Sequence, residues 1–143
     1  MWGHYAGNHT GVCFGCDIDP SIVINVNYTA NRLYPKLSKD NFFEHINKDK
    51  MIEMISTKFD HWHYEDEIRT LNKLSEEKFD DPHYFHEFSD SLSLREVIIG
   101  AKSNIKVSDV ESLVDKKTVN VIKARISFKE FSVVPQRNSS LIM

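Results

Sequence analysis

The chain has 143 residues, 41% of them hydrophobic and 27% charged, with a formal net charge of -3. That length sets a single domain spanning 1–143 as the expectation, and the weak negative charge without a Lys/Arg block excludes a field that would draw the chain to nucleic acid or anionic lipid. No apolar run reaches the ~18 residues of a membrane span and no basic-then-apolar leader marks export, so a cytoplasmic protein is expected, with no nucleic-acid or membrane partner.

The opening stretch, MWGHYAGNHTGVCFG, packs Trp2, His4, Tyr5 and His9 among Gly3, Gly7 and Gly11. These glycines permit a tight loop with exposed backbone N–H groups. Gly11 to Ile18 reads as a strand stopped by Asp19-Pro20. Within it, Cys13 and Cys16 have the spacing of a redox pair or half of a zinc site. Positions three apart on a strand point to opposite faces, and no second C-x-x-C follows, so buried or half-buried structural thiols are the favoured expectation. Ile22, Ile24, Val26 and Tyr28 then alternate with Val23, Asn25 and Asn27, a period-two pattern. Asp19-Pro20-Ser21 is short enough for a hairpin, which predicts an antiparallel pair at the start.

Asn31 to Ser38 reads as a connector. From Asp40 to about Lys58 the spacing turns helical through Phe42, Phe43, Ile46, Met51, Met54 and Ile55, with Asn47-Lys48-Asp49-Lys50 dividing it into two short helices. Asn72 to Pro82 is charged and predicted exposed, and Tyr84 to Phe88 reads as a short strand. Ser93 and Glu96 suggest a turn running into a buried strand, Val97-Ile98-Ile99-Gly100. Ser108 and Glu111 form a capping box ahead of Val110, Leu113 and Val114. Ile122, Ala124, Ile126 and Phe128 alternate along a last strand, with Phe131 to Val134 as its hairpin partner and a frayed tail from Asn138. The pattern predicts an α+β fold, a mainly antiparallel sheet with two to three helices.

A second dense stretch, HWHYEDEIR, spans 61–69. As a strand it places Glu65, Glu67 and Arg69 on one face; as a helix it still brings Glu65 to Arg69. Either way a carboxylate meets a guanidinium. Neighbouring carboxylates can separate their pKa values, which suits acid–base work or a grip on ligand hydroxyls, while a structural ion pair is the plainer alternative. His4, His9, His61, His63, His83 and His86 are numerous, but no pair has the H-x-x-x-H spacing of a helical site and no H-E-x-x-H occurs, so no metal site is expected. G-x-S-x-G, P-loop and dinucleotide fingerprints are also missing.

The two dense stretches, in this order, resemble a bacterial family, domain of unknown function 2971. The resemblance rests on Trp2, His4, Tyr5, His9, Gly11, Cys13 and Asp17, then on Trp62, Tyr64, Glu65, Glu67 and Arg69, and it extends to Val97, Ile98 and Gly100. Cys16 departs from a place that is commonly aromatic. The family's usual front segment, a tyrosine-rich strand with an asparagine-aspartate-proline element, does not precede Trp2, which implies an N-terminally truncated version of a longer domain. The resemblance raises the expectation of a site, with Glu65 and Glu67 as candidate catalytic carboxylates and His4, Tyr5, His9 and Arg69 as candidate ligand contacts. This inventory is loosely similar to that of ADP-ribosyltransferases, which points to a nucleotide- or NAD-type ligand without specifying a cofactor. The alternatives are a non-enzymatic interaction module with a protein ligand, in a stress or phage-response pathway, or an inactive fragment.

Overall fold

The structure, a computed structural model, describes residues 2–34 and 47–142. In chain order its elements are β1 (Val12–Ile18), β2 (Ile24–Asn25), β3 (Asn27–Thr29), α1 (Lys48–Ile55), β4 (Thr57–Phe59), β5 (Ile68–Arg69), β6 (Lys78–Asp80), β7 (His83–Phe85), β8 (Leu92–Ile99), α2 (Val107–Glu111), β9 (Asn120–Ile126) and β10 (Val133–Pro135). Short 3-10 turns fill several of the gaps. Most strand pairings are antiparallel; β8–β9 and β3–β4 are parallel. The fold is α+β, as the patterning predicts. Among the described residues no helix is long and apolar enough to cross a membrane. The part of the predicted helical stretch from Asp40 to Ile46 lies outside the described residues.

The chain forms two compact units, Met1–Asp19 with His86–Met143, and Pro20–Phe85. The first is built on a four-stranded sheet of order β1-β8-β9-β10. Its β8 begins at Leu92 and runs unbroken through the positions where the sequence suggests a turn. The reason is a β-bulge: Gly15 pairs with Glu96 but Cys16 with Leu94, which leaves Arg95 as the extra residue. One inserted position reverses the face of everything beyond it. The apolar residues of LSLREVII are spaced to suit that reversal, since Leu92 and Leu94 then share a face with Val97 and Ile99. Val97 and Ile99 are buried, as is Ala124 on β9. A crossover through α2 links β8 to its parallel neighbour β9, and β9 turns into β10 as the expected hairpin.

Three expectations fail in this unit. β1 does not pair with the strand that follows it; its partner is β8, because the 3-10 turn at Pro20–Ile22 ends the strand direction after Asp19. Cys13 and Cys16 are exposed rather than buried, since β1 is an edge strand, and they form no disulfide. Partial burial, then Asp17 and Cys13, push the Cys16 thiol up, away from the reactive thiolate. Finally, α2 is capped by Lys106 without a side-chain hydrogen bond, so Ser108 lies inside the helix instead of leading it.

The second unit has three two-stranded pieces, β2–β5, β3–β4 and β6–β7. Among the described residues its buried ones are Val26 and Ser56. Val26 sits between β2 and β3, and its N–H donates to the Glu67 carbonyl. Helix α1 starts at Asn47, whose Oδ1 accepts from Lys50 N at 2.8 Å. It ends at Ser56, whose Oγ donates to the Ile52 carbonyl at 2.7 Å. Ile52 and Ile55 form its half-buried side, while Met51 and Met54 are exposed.

Candidate functional site

The HWHYEDEIR stretch adopts neither of the two simple geometries. Asp60–Glu65 is a 3-10 turn, Asp66 takes a left-handed conformation with φ 46°, and the chain then enters β5. Aspartate tolerates that conformation better than most residues. The reversal carries Glu67 back toward β3, where its N–H donates to the Tyr28 hydroxyl at 2.9 Å. Tyr28 and Lys58 are register partners in β3 and β4, and Arg69 pairs with Ile24 across β2 and β5. Two small ladders thus converge on one set of side chains.

That set is an ion network. Arg69 grips Glu67 with two donors, Nε to Oε1 at 2.7 Å and Nη2 to Oε2 at 3.1 Å. Lys58 Nζ donates to Glu67 Oε2 at 3.0 Å and also to Glu65. Arg69 reaches the Ile55 carbonyl as well. The Lys58 ammonium lies 5.3 Å from the centre of the Trp62 ring, within cation–π range. The Glu65 side chain is almost fully enclosed at 4% exposure, whereas Glu67 retains 29%.

Electrostatics follow from this geometry. The Arg69 guanidinium pulls the Glu67 carboxyl down to about 2, with Lys58 assisting and burial opposing. Glu65 first, then Glu67, hold Lys58 above the ordinary lysine range. Arg69 is likewise raised, mainly by Glu67. All of these groups favour their charged forms, so Glu67 is an ionised anchor at neutral pH and has no proton to donate. The paired charges balance. Lys58 has a second role as one wall of a cleft of about 580 Å³, lined also by Asn31, Arg32, Leu33 and Phe59.

His4, Tyr5 and His9 belong to the first unit, in a turn that precedes β1. Gly7, Asn8 and His9 are successively left-handed, at φ 54°, 55° and 71°. Thr10 Oγ1 closes the turn on the Gly7 carbonyl at 2.8 Å. The turn is tied down where the Gly100 N–H donates to Gly11 and the Lys102 N–H to His9, each at 2.9 Å. A Cβ on Gly100 would lie 2.3 Å from the His9 carbonyl oxygen, so only glycine fits. Trp2 and His9 stack at 5.8 Å with rings 6° from parallel. They line a cleft of about 790 Å³ with the β9–β10 connection, whereas His4 and Tyr5 are exposed and do not line it.

Residues 1–70 match the model of a family described as "Protein of unknown function (DUF2971)". The match covers just under half of the chain. The matched stretch contains His4, Tyr5, His9, Glu65, Glu67 and Arg69, while β8, β9 and β10 lie beyond it. The resemblance at Val97, Ile98 and Gly100 thus falls outside the matched residues. No curated protein and no solved structure matches the chain.

Lys58 and Tyr28 are the members of the network that sequence spacing missed. Lys58 ends a helical pattern and offers no motif of its own; only its register opposite Tyr28 brings it to the carboxylates. Among the described residues, no three His, Cys, Asp or Glu side chains gather as metal ligands.

Proposed function

We propose that the second unit is a binding site for an anionic nucleotide- or NAD-type ligand, held in the cleft beside Lys58. The observation that carries this reading is the double position of Lys58, at once a cleft wall and the hub of the Glu65–Glu67–Arg69 network. Arg32 lines the same cleft and adds a second cation for a phosphate. In this reading Glu65 and Glu67 hold the Lys58 ammonium in place, and Arg69 holds Glu67. The low proton affinity of Glu67 favours positioning over proton transfer.

Calorimetry with NAD and with ADP-ribose tests the proposal. Arg32→Ala changes an exposed residue, so it should leave the melting temperature unchanged and weaken binding at least about tenfold. Glu65→Gln and Glu67→Gln should weaken binding and lower the melting temperature together. No heat from either ligand at millimolar concentration would remove the reading.

A second reading, a protein-interaction module, is favoured by the exposure of large apolar side chains, Phe128 at 95% and Phe131 at 115% among them. A partner captured by the wild type and lost by a Phe128→Ser/Phe131→Ser variant would support it. Equal recovery by both would count against it.

A further inference from the structure

The cleft of the first unit has an unusual polar inventory. Its walls include Trp2, Ile126, Phe128, Phe131 and Val133, with one cation and one anion, Lys129 and Glu130, beside them. Two of its lining residues, His9 and Ser132, each hold a buried side-chain polar atom, His9 Nδ1 and Ser132 Oγ, without a hydrogen-bond partner. An unpaired buried group of this kind costs roughly 1–3 kcal/mol, and native proteins carry few of them. Here both occur at one cleft. His9 also has a left-handed backbone conformation, uncommon outside glycine, and its carbonyl accepts from the Lys102 N–H. A histidine on an uncommon backbone, stacked on Trp2 and left with a buried, unpartnered nitrogen at the edge of a cleft, points to a ligand more than to the fold.

We infer that this cleft binds an uncharged planar nitrogen heterocycle. The ring would lie against the π faces of Trp2 and Phe131, while Lys129 and Glu130 offset each other and leave no net charge for an ionic ligand to seek. Its N–H and acceptor edge would satisfy His9 Nδ1 and the Ser132 hydroxyl, one an acceptor or donor by tautomer, the other either. The inference does not depend on the Lys58 cleft, whose residues belong to the other unit.

The chain contains two tryptophans, so Trp62→Phe leaves Trp2 as the single fluorescent reporter of this cleft. Adenine and nicotinamide, titrated into that variant, should quench or shift Trp2 emission saturably, and toluene should do so more weakly. Ser132→Ala removes a hydroxyl that bonds to nothing in the protein. It should leave the melting temperature unchanged or higher, yet weaken adenine or nicotinamide binding about fivefold to tenfold. His9→Asn keeps a residue that tolerates the left-handed backbone and should abolish saturation. Arg32→Ala, in the Lys58 cleft, should leave the response intact, which separates failure here from failure there. Equal binding of toluene and adenine, unchanged affinity in Ser132→Ala, or no saturation by either heterocycle would each overturn the inference.

Discussion

The two units hold themselves together by different means. The first hides Val97, Ile99 and Ala124 within a four-stranded sheet, and its one tight backbone crossing is closed by Gly100. The second has ladders two or three residues long and hides Val26 and Ser56, while its longest-reaching side-chain contacts run among Lys58, Glu65, Glu67, Arg69 and Tyr28. Apolar burial carries no titratable charge, whereas an ion network of partly exposed groups responds to pH and to electrostatic screening. The first unit should therefore fail through volume and the second through charge.

The largest effect should come from Gly100→Ala, which drives a methyl into the His9 carbonyl and must displace the turn or β8; about 3 kcal/mol is expected. Gly3→Ala, with nothing within 4 Å of the added Cβ, is the control and should be nearly silent. Urea denaturation of both variants checks the pair, and equal midpoints would refute the close crossing. Ile99→Ala follows, at about 2–4 kcal/mol, because Ile99 is 0% exposed. Leu113→Ala should cost less than about 0.5 kcal/mol, since Leu113 is 83% exposed.

Charge is tested in the other unit. Glu67 ionises at about 2 in the folded chain against an ordinary 4.5, so its stabilisation is complete above 4.5 and is lost as pH falls toward 2. Residue-resolved amide exchange should show 20–34 and 47–85 loosening across that window. Glu67→Gln should cost about 1 kcal/mol at pH 7 and flatten the acid dependence, the figure being reduced for partial exposure. A variant with the wild-type acid profile would assign the loosening to other carboxylates.

Effects at the helix starts are also small. Asn47→Ala removes a working cap and should cost about 1 kcal/mol, while Lys106→Asp supplies one that α2 lacks and should add about 0.5 kcal/mol. Thermal melts of the two single variants should move in opposite directions. Movement in the same direction would mean that the first turn of α2 is stabilised by something other than a cap.

Much of the local structure was legible in the residues. The alternation of Ile122, Ala124 and Ile126, the turn before β10, the strand at Val12–Ile18 and the pairing of Arg69 with a neighbouring carboxylate all follow from short-range periodicity. The failures share one cause. The hairpin expected after β1, the turn expected at Ser93 and the buried thiols each depended on which strand lies alongside which. β1 finds its partner some eighty positions along the chain, and a bulge at Arg95 alters the alternation that a reader would count. The capping box at Ser108 failed more locally, by a two-residue shift in where α2 begins.

By itself, then, the sequence determined the α+β class, the glycine-rich turn that ends in β1 and the charge-rich stretch around Glu67, because these rest on spacing within about ten residues. Tertiary structure alone decided that Lys58 and Tyr28 join Glu65, Glu67 and Arg69, and that Gly100 locks His9 beside Trp2. Those contacts join residues far apart in the chain, and no local pattern encodes a register between strands that distant.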